Sequence, residues 1–90
     1  VLKYVPNNAV MIELGSYWGY YSMWFQSQIA GAKNYLIEPD PKNLIIGQNN
    51  FALNNATGYF TQAMIGENSL EKQAFIDWDY NKHDIRQVCI

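Results

Sequence analysis

Two acids and two glycines are the residues of this sequence best placed to do chemistry together. Glu13 closes a short apolar run, and Gly15 and Gly19 follow it by two and six positions. Helical spacing begins directly afterwards, at Tyr20. Glycine lets a backbone pass close to a ligand, and the first turn of a helix presents unpaired N–H groups. In an open α/β sheet such a loop lies outside the carboxyl ends of the strands, where ligands bind. Glu38 ends a second apolar run twenty-three residues after Gly15. At about that offset the acid of a nucleotide-binding α/β fold accepts the ribose hydroxyls of an adenosine. A carboxylate suits a cis-diol because it offers two acceptor oxygens.

The type of nucleotide follows from charge and from what the glycine loop lacks. A dinucleotide fingerprint anchored at Gly15 needs glycine at positions 17 and 20, which are Tyr17 and Tyr20. No Gly-Lys-Ser or Gly-Lys-Thr occurs, so a phosphate-cradling loop is absent from the sequence. An acid at the mouth of the loop repels a pyrophosphate but favours a ligand carrying an ammonium and a sulfonium. S-adenosylmethionine is therefore the expected cofactor, ahead of NAD and ATP. The expected contacts are Glu13, Gly15, Ser16, Tyr17, Gly19, Glu38, Pro39 and Gln62. Gln62 fits an adenine edge and an ordinary polar strand end equally well. Asp40 reads as a helix cap rather than an adenine contact, and Tyr21 as a core residue. Tyr17 or Trp18 is a candidate to cover the cofactor. Ser22 equally suits a backbone contact in the first helical turn. No residue is assigned as a catalytic base.

The elements that must position these groups alternate between strand and helix. Residues 9–14 form a nearly continuous apolar run, as in a strand buried on both faces of a parallel sheet. From Tyr20 to about Ala30 the spacing predicts a helix packed through Tyr21, Trp24, Phe25, Gln28 and Ile29, with Gly31 at its left-handed end. A second strand spans residues 34–38. Asp40 and Pro41 then open a helix to about Leu53, packed through Leu44, Ile45, Gly47, Gln48, Phe51 and Ala52. Gly47 inside it points to close packing. Residues 59–63 and 74–76 complete the strands. The order calls for an α/β, Rossmann-like open sheet with flanking helices and right-handed crossovers.

Composition narrows the class. At 49% hydrophobic residues the chain is globular rather than disordered. Its net charge of −2 leaves no basic field for a phosphate backbone, which excludes a nucleic-acid module. No apolar run approaches a membrane span. The single cysteine, Cys89, rules out an internal disulfide and fits a reducing compartment. With a polar start at Tyr4-Val5-Pro6-Asn7-Asn8, a cytoplasmic location is expected. His83 lacks a Cys or His partner at metal-ligand spacing and reads as a surface residue, so no metal is expected. Asn55-Ala56-Thr57 matches a glycosylation acceptor and is read as chance in that location. The chain opens on Val1 and closes on Gln87-Val88-Cys89-Ile90, which reads as a strand beginning. Residues 1–90 are thus expected to form the first half of a longer domain, with self-association through an open sheet edge.

The stretch Glu13–Ser22 resembles the first motif of the FkbM-type methyltransferases, acid-x-Gly-x-x-x-Gly followed by Tyr-Tyr-Ser. Glu38-Pro39-Asp40-Pro41 with Asn50-Phe51-Ala52-Leu53-Asn54 resembles the second block of that family in order and spacing. Gln62-Ala63-Met64-Ile65-Gly66-Glu67 is similar to its third, so the likeness runs from about residue 9 to 77. The family's later Lys-Ile-Asp-x-Glu-Gly segment is absent. The resemblance implies S-adenosylmethionine binding and O-methylation of a small-molecule or saccharide acceptor. A non-catalytic remnant of such a fold and an NAD-dependent oxidoreductase are the alternatives.

Overall fold

A computed structural model describes residues 4–89 as a mixed α/β protein with two small sheets and two helices. The chain runs β1 (Val10–Leu14), α1 (Tyr20–Gln28), β2 (Lys33–Ile37), α2 (Pro41–Leu53), β3 (Tyr59–Thr61), β4 (Ala63–Gly66), β5 (Leu70–Ile76) and β6 (Lys82–Cys89). The first sheet has the order β1-β2-β3, all parallel, with Ile12 opposite Tyr35 and Tyr35 opposite Tyr59. The second has the order β4-β6-β5, parallel between β4 and β6 and antiparallel between β5 and β6.

Two sheets rather than one open sheet is a correction to the sequence reading, which ran a single strand through residues 59–63. Pro39 and Pro41 turn the chain out of β2 just beyond Ile37, so β3 loses its ladder partner after Thr61. The chain passes Gln62 and continues as β4, which pairs with β6 instead. The strand expected to begin at Gln87 already starts at Lys82, and the one expected at residues 74–76 starts at Leu70.

Both helices contact the first sheet, and the alternation of burial along its strands shows which face they cover. Asn34 and Leu36 lie beneath them fully buried, with Met11, Glu13 and Phe60 partly so. Val10, Ile12, Leu14, Tyr35 and Tyr59 on the opposite face remain exposed. The expectation that β1 is buried on both faces is therefore corrected. Among the described residues β1 also has a strand partner on one side only.

The packed faces of the helices agree only in part with those the apolar spacing predicts: Ile29, Gly47 and Phe51 are buried as expected. α1 turns Ser22, Gln26 and Ile29 inward, leaving Tyr21 74% and Trp24 49% exposed. Hydrogen bonding decides this: the Ser22 carbonyl accepts from Asn34 Nδ2 at 3.2 Å, and Gln26 Nε2 donates to Asn34 Oδ1 at 3.0 Å. α2 buries Asn43, Gly47 and Phe51, while Ile45, Gln48 and Ala52 stay exposed. Asp40 caps it as expected, accepting from the Lys42 amide at 2.8 Å. α1 ends at Gln28, and Gly31, left-handed at φ 72°, serves the turn two residues past its cap. At Gly47 a Cβ would stand 3.3 Å from Phe60 and 3.6 Å from the Trp18 backbone, the close approach that its place in a helix implied.

Candidate functional site

Three loops meet at the carboxyl ends of β1, β2 and β3, and buried polar groups hold them together. Gly15 leaves β1 with φ 67°, and its amide and that of Ser16 both donate to the Ile37 carbonyl, at 2.8 and 3.1 Å. The glycine loop is thereby bolted to the end of β2. Tyr17 follows in the left-handed region at φ 54°, uncommon for a side-chain-bearing residue. Its amide donates to Glu38 Oε1 at 2.9 Å, while Glu38 Oε2 accepts from the Asp40 amide at 2.9 Å. Glu38 thus bridges the loop after β1 to the loop after β2, and it is only 5% exposed. Sequence reasoning placed this carboxylate on an open crevice. It is largely buried and also serves as a tie between two backbones, with one acceptor position left on each oxygen.

Glu13 is engaged at the start of α1. Its Oε1 accepts from Ser22 Oγ at 2.7 Å and from the Ser22 amide at 3.2 Å. Gly19, the N-cap of α1, has no side chain to satisfy the first-turn N–H groups, so a carboxylate from β1 substitutes for a cap. Negative charge at that helix terminus is favourable in its own right.

The two glycines also separate. At Gly19 (φ 79°) a Cβ would meet Phe51 at 2.9 Å and Leu36 at 3.3 Å, so this glycine serves packing beneath the helices. At Gly15 a Cβ would meet nothing within 4 Å. The open side of Gly15 belongs to a cleft of about 280 Å³ whose walls are Leu14, Ile37, Pro39 and the start of β4 at Ala63 and Met64. That is just under the roughly 300–1,000 Å³ of a small-molecule pocket, room for one end of a nucleoside.

Of the remaining expected contacts, Ser16 is buried at 4% exposure and its carbonyl accepts from Gly19, closing the loop. Pro39 lines the cleft, and its carbonyl accepts from Gln62 Nε2 at 3.2 Å, which fixes the junction between β3 and β4. Trp18 is held against α2 by bonds to Asn43 and Asn50, and its ring packs 5.3 Å from that of Tyr17. Gly15 and Pro39 therefore share one cleft, Glu38 and Tyr17 support its rim, and Gly19 and Glu13 lie behind it under α1.

The sequence reading missed a second polar centre. In the β5–β6 turn, Asp77 Oδ1 accepts from the amides of Asp79 and Asn81, and Oδ2 pairs with His83 Nε2 at 2.8 Å. The His83 hydrogen bond, reinforced by the Asn81 and Asp79 amides, holds the Asp77 carboxyl down at about 2. His83 is half-buried rather than a free surface residue. The signal was the turn-rich run Asp77-Trp78-Asp79-Tyr80-Asn81, which closes a hairpin tight enough for Asp77 to reach His83 diagonally across it. Asp79 reaches over to Lys42 in the first turn of α2, and this hydrogen bond raises the lysine above its usual range. Among the described residues no group of three or more His, Cys, Asp or Glu is placed to hold a metal ion. No helix among them is long and apolar enough to cross a membrane. Comparison with protein-family models, curated proteins and solved structures finds no match.

Proposed function

We propose that this protein binds S-adenosylmethionine at the carboxyl ends of β1 and β2 and is a methyltransferase of Rossmann-like fold. The observation that carries the reading is Gly15, a left-handed turn with open space on its Cβ side, set over a cleft at the strand ends. A backbone that must approach a ligand closely needs a glycine at that place. The parallel order β1-β2-β3, with helices on one face of the sheet, supports the Rossmann-like assignment as one wing of a doubly wound sheet. The cofactor supplies an electrophilic methyl carbon; the chain's own residues bind and orient it. Glu38 offers the free acceptor positions of its two oxygens to the ribose hydroxyls, while its bonds to Tyr17 and Asp40 fix their direction. Gln62, bonded through Nε2 to the Pro39 carbonyl, is the candidate for the adenine edge through its remaining amide groups. Rate acceleration then rests largely on holding acceptor and methyl in near-attack geometry.

The resemblance to FkbM-type methyltransferases supports an oxygen acceptor on a small molecule or saccharide. Calorimetry on the full-length protein tests the reading. S-adenosylmethionine and S-adenosylhomocysteine are expected to bind, and NAD is expected not to. Preference for NAD would replace the methyltransferase with an oxidoreductase.

A further inference from the structure

A larger groove lies on the helical layer, away from the strand-end cleft. It measures about 510 Å³, within the usual range for a small-molecule site. Its two sides differ in chemistry. Tyr20 and Trp24, four residues apart on α1, form one side with large exposed rings, 60% and 49% accessible. Asn54 and Asn55, just beyond the end of α2, form the other. No charged side chain lines the groove among the described residues.

The polar side has hydrogen-bonding capacity to spare. Asn55 sits in the left-handed region at φ 53°, and its side chain makes no hydrogen bond among the described residues. Asn54 donates through Nδ2 to the Asn50 carbonyl at 2.8 Å, which leaves its oxygen as an acceptor. Ser27 Oγ donates to the Trp24 carbonyl at 2.6 Å and accepts from Gln28 Nε2 at 3.4 Å, so it adds little to the groove's capacity. Between the two sides the floor is fixed: Gln26 grips Thr57 through both its oxygen and its nitrogen, at 2.9 and 2.5 Å. The groove is therefore formed in advance of any ligand.

We propose that this groove binds a neutral pyranoside, one sugar unit of a saccharide, stacked on Trp24 and Tyr20 and hydrogen-bonded by Asn54 and Asn55. A pyranose has an apolar C–H face and a rim of neutral hydroxyls that each donate and accept. One aromatic side opposite one carboxamide side matches that division, since an amide also donates and accepts. A polyproline peptide would instead call for successive aromatic slots along an extended groove. An anionic ligand finds no cation here. The inference does not rest on methyl transfer, because the groove shares no residue with the strand-end cleft.

Nitrogen-15 spectra of the full-length protein, titrated with cellotetraose, maltotetraose and adenosine in parallel, test it. At least one tetrasaccharide is expected to shift the Trp24 indole and the Asn54 and Asn55 side-chain amides at millimolar concentration. Trp24→Ala should weaken that response about tenfold, the scale of losing one aromatic contact face. Asn55→Gly, which keeps the left-handed backbone and removes only the carboxamide side chain, should weaken it about threefold to tenfold, as for one hydrogen-bonding partner. Failure of both saccharides to shift these signals, a response to adenosine alone, or shifts confined to the glycine loop would overturn the proposal. So would wild-type titration curves for both variants.

Discussion

Two carboxylates, each buried and each accepting from backbone amides, organise the two halves of this molecule in different ways. Glu38 ties loops that are distant in sequence, reaching Tyr17 twenty-one residues back while also holding Asp40. Asp77 ties a single turn, with every partner within six residues. The difference is one of topology. Parallel strands need long crossovers, so their ends are brought together only by contacts far apart in the chain. An antiparallel hairpin closes on itself, and one acid suffices to set its turn. A ligand site at the ends of parallel strands is thus assembled by the whole fold, whereas the hairpin is a local object that the fold carries.

The sharpest way to break this comparison is at Gly19. Gly19→Ala places a methyl 2.9 Å from Phe51 and 3.3 Å from Leu36 at a positive φ. Together the strain and the overpacking are expected to cost about 2–5 kcal/mol. Urea unfolding measures it, and a loss below about 1 kcal/mol would mean that the α1–β2 packing is looser than described. Glu38→Ala comes next. It strands the Tyr17 and Asp40 amides and should destabilise by about 1.5–3 kcal/mol, with Glu38→Gln recovering part through its remaining oxygen. A melting temperature unmoved by Glu38→Ala would return this residue to a purely ligand-facing role. Gly15→Ala meets no neighbour, so only its backbone strain of about 1–2 kcal/mol is expected in the unfolding curve, with cofactor affinity falling beyond that.

The hairpin responds to pH rather than to packing. Asp77 is held at about 2 against an ordinary 3.8, so its stabilising contribution is present above the unfolded value and is lost as pH falls from about 4 through 2. Amide shifts of residues 77–83 should follow that titration in the wild type, and Asp77→Asn should flatten it. Titration of the hairpin unchanged by Asp77→Asn would remove the acid from the centre of the turn. The smallest effect is expected at Lys42→Ala. It removes an ion pair whose two side chains are 60% and 62% exposed, and added salt should erase the difference from wild type.

Local signals in the sequence carried much of this. The Asp40-Pro41 start of α2, the tight loop at Gly15 and Gly19, the left-handed Gly31, and a second strand at residues 34–38, which the structure places at Lys33–Ile37, could all be read from residue type. The faces of the helices could be read only in part: Ile29, Gly47 and Phe51 are buried as their spacing predicts, whereas Ser22, Gln26 and Asn43 are polar residues turned inward by hydrogen bonds that link separate elements. Apolar spacing is blind to a packed face built on polar side chains. The break at Gln62 escaped for a related reason: β3 ends where its neighbour turns away, and nothing in β3 itself announces that. At the site, the position of Glu38 was legible while its burial was not, since its partners are the backbones of two other loops.

The central claim is that the glycine loop, and not the hairpin, seats an adenosyl ligand. Titrating S-adenosylhomocysteine into the nitrogen-15-labelled full-length protein tests it within one sample. The account predicts progressive, saturable shifts of the Gly15, Ser16 and Tyr17 amides, with those of Asp79, Tyr80 and Asn81 unmoved. Saturable shifts in the hairpin with a silent glycine loop, or no shift anywhere in a folded protein, would contradict it.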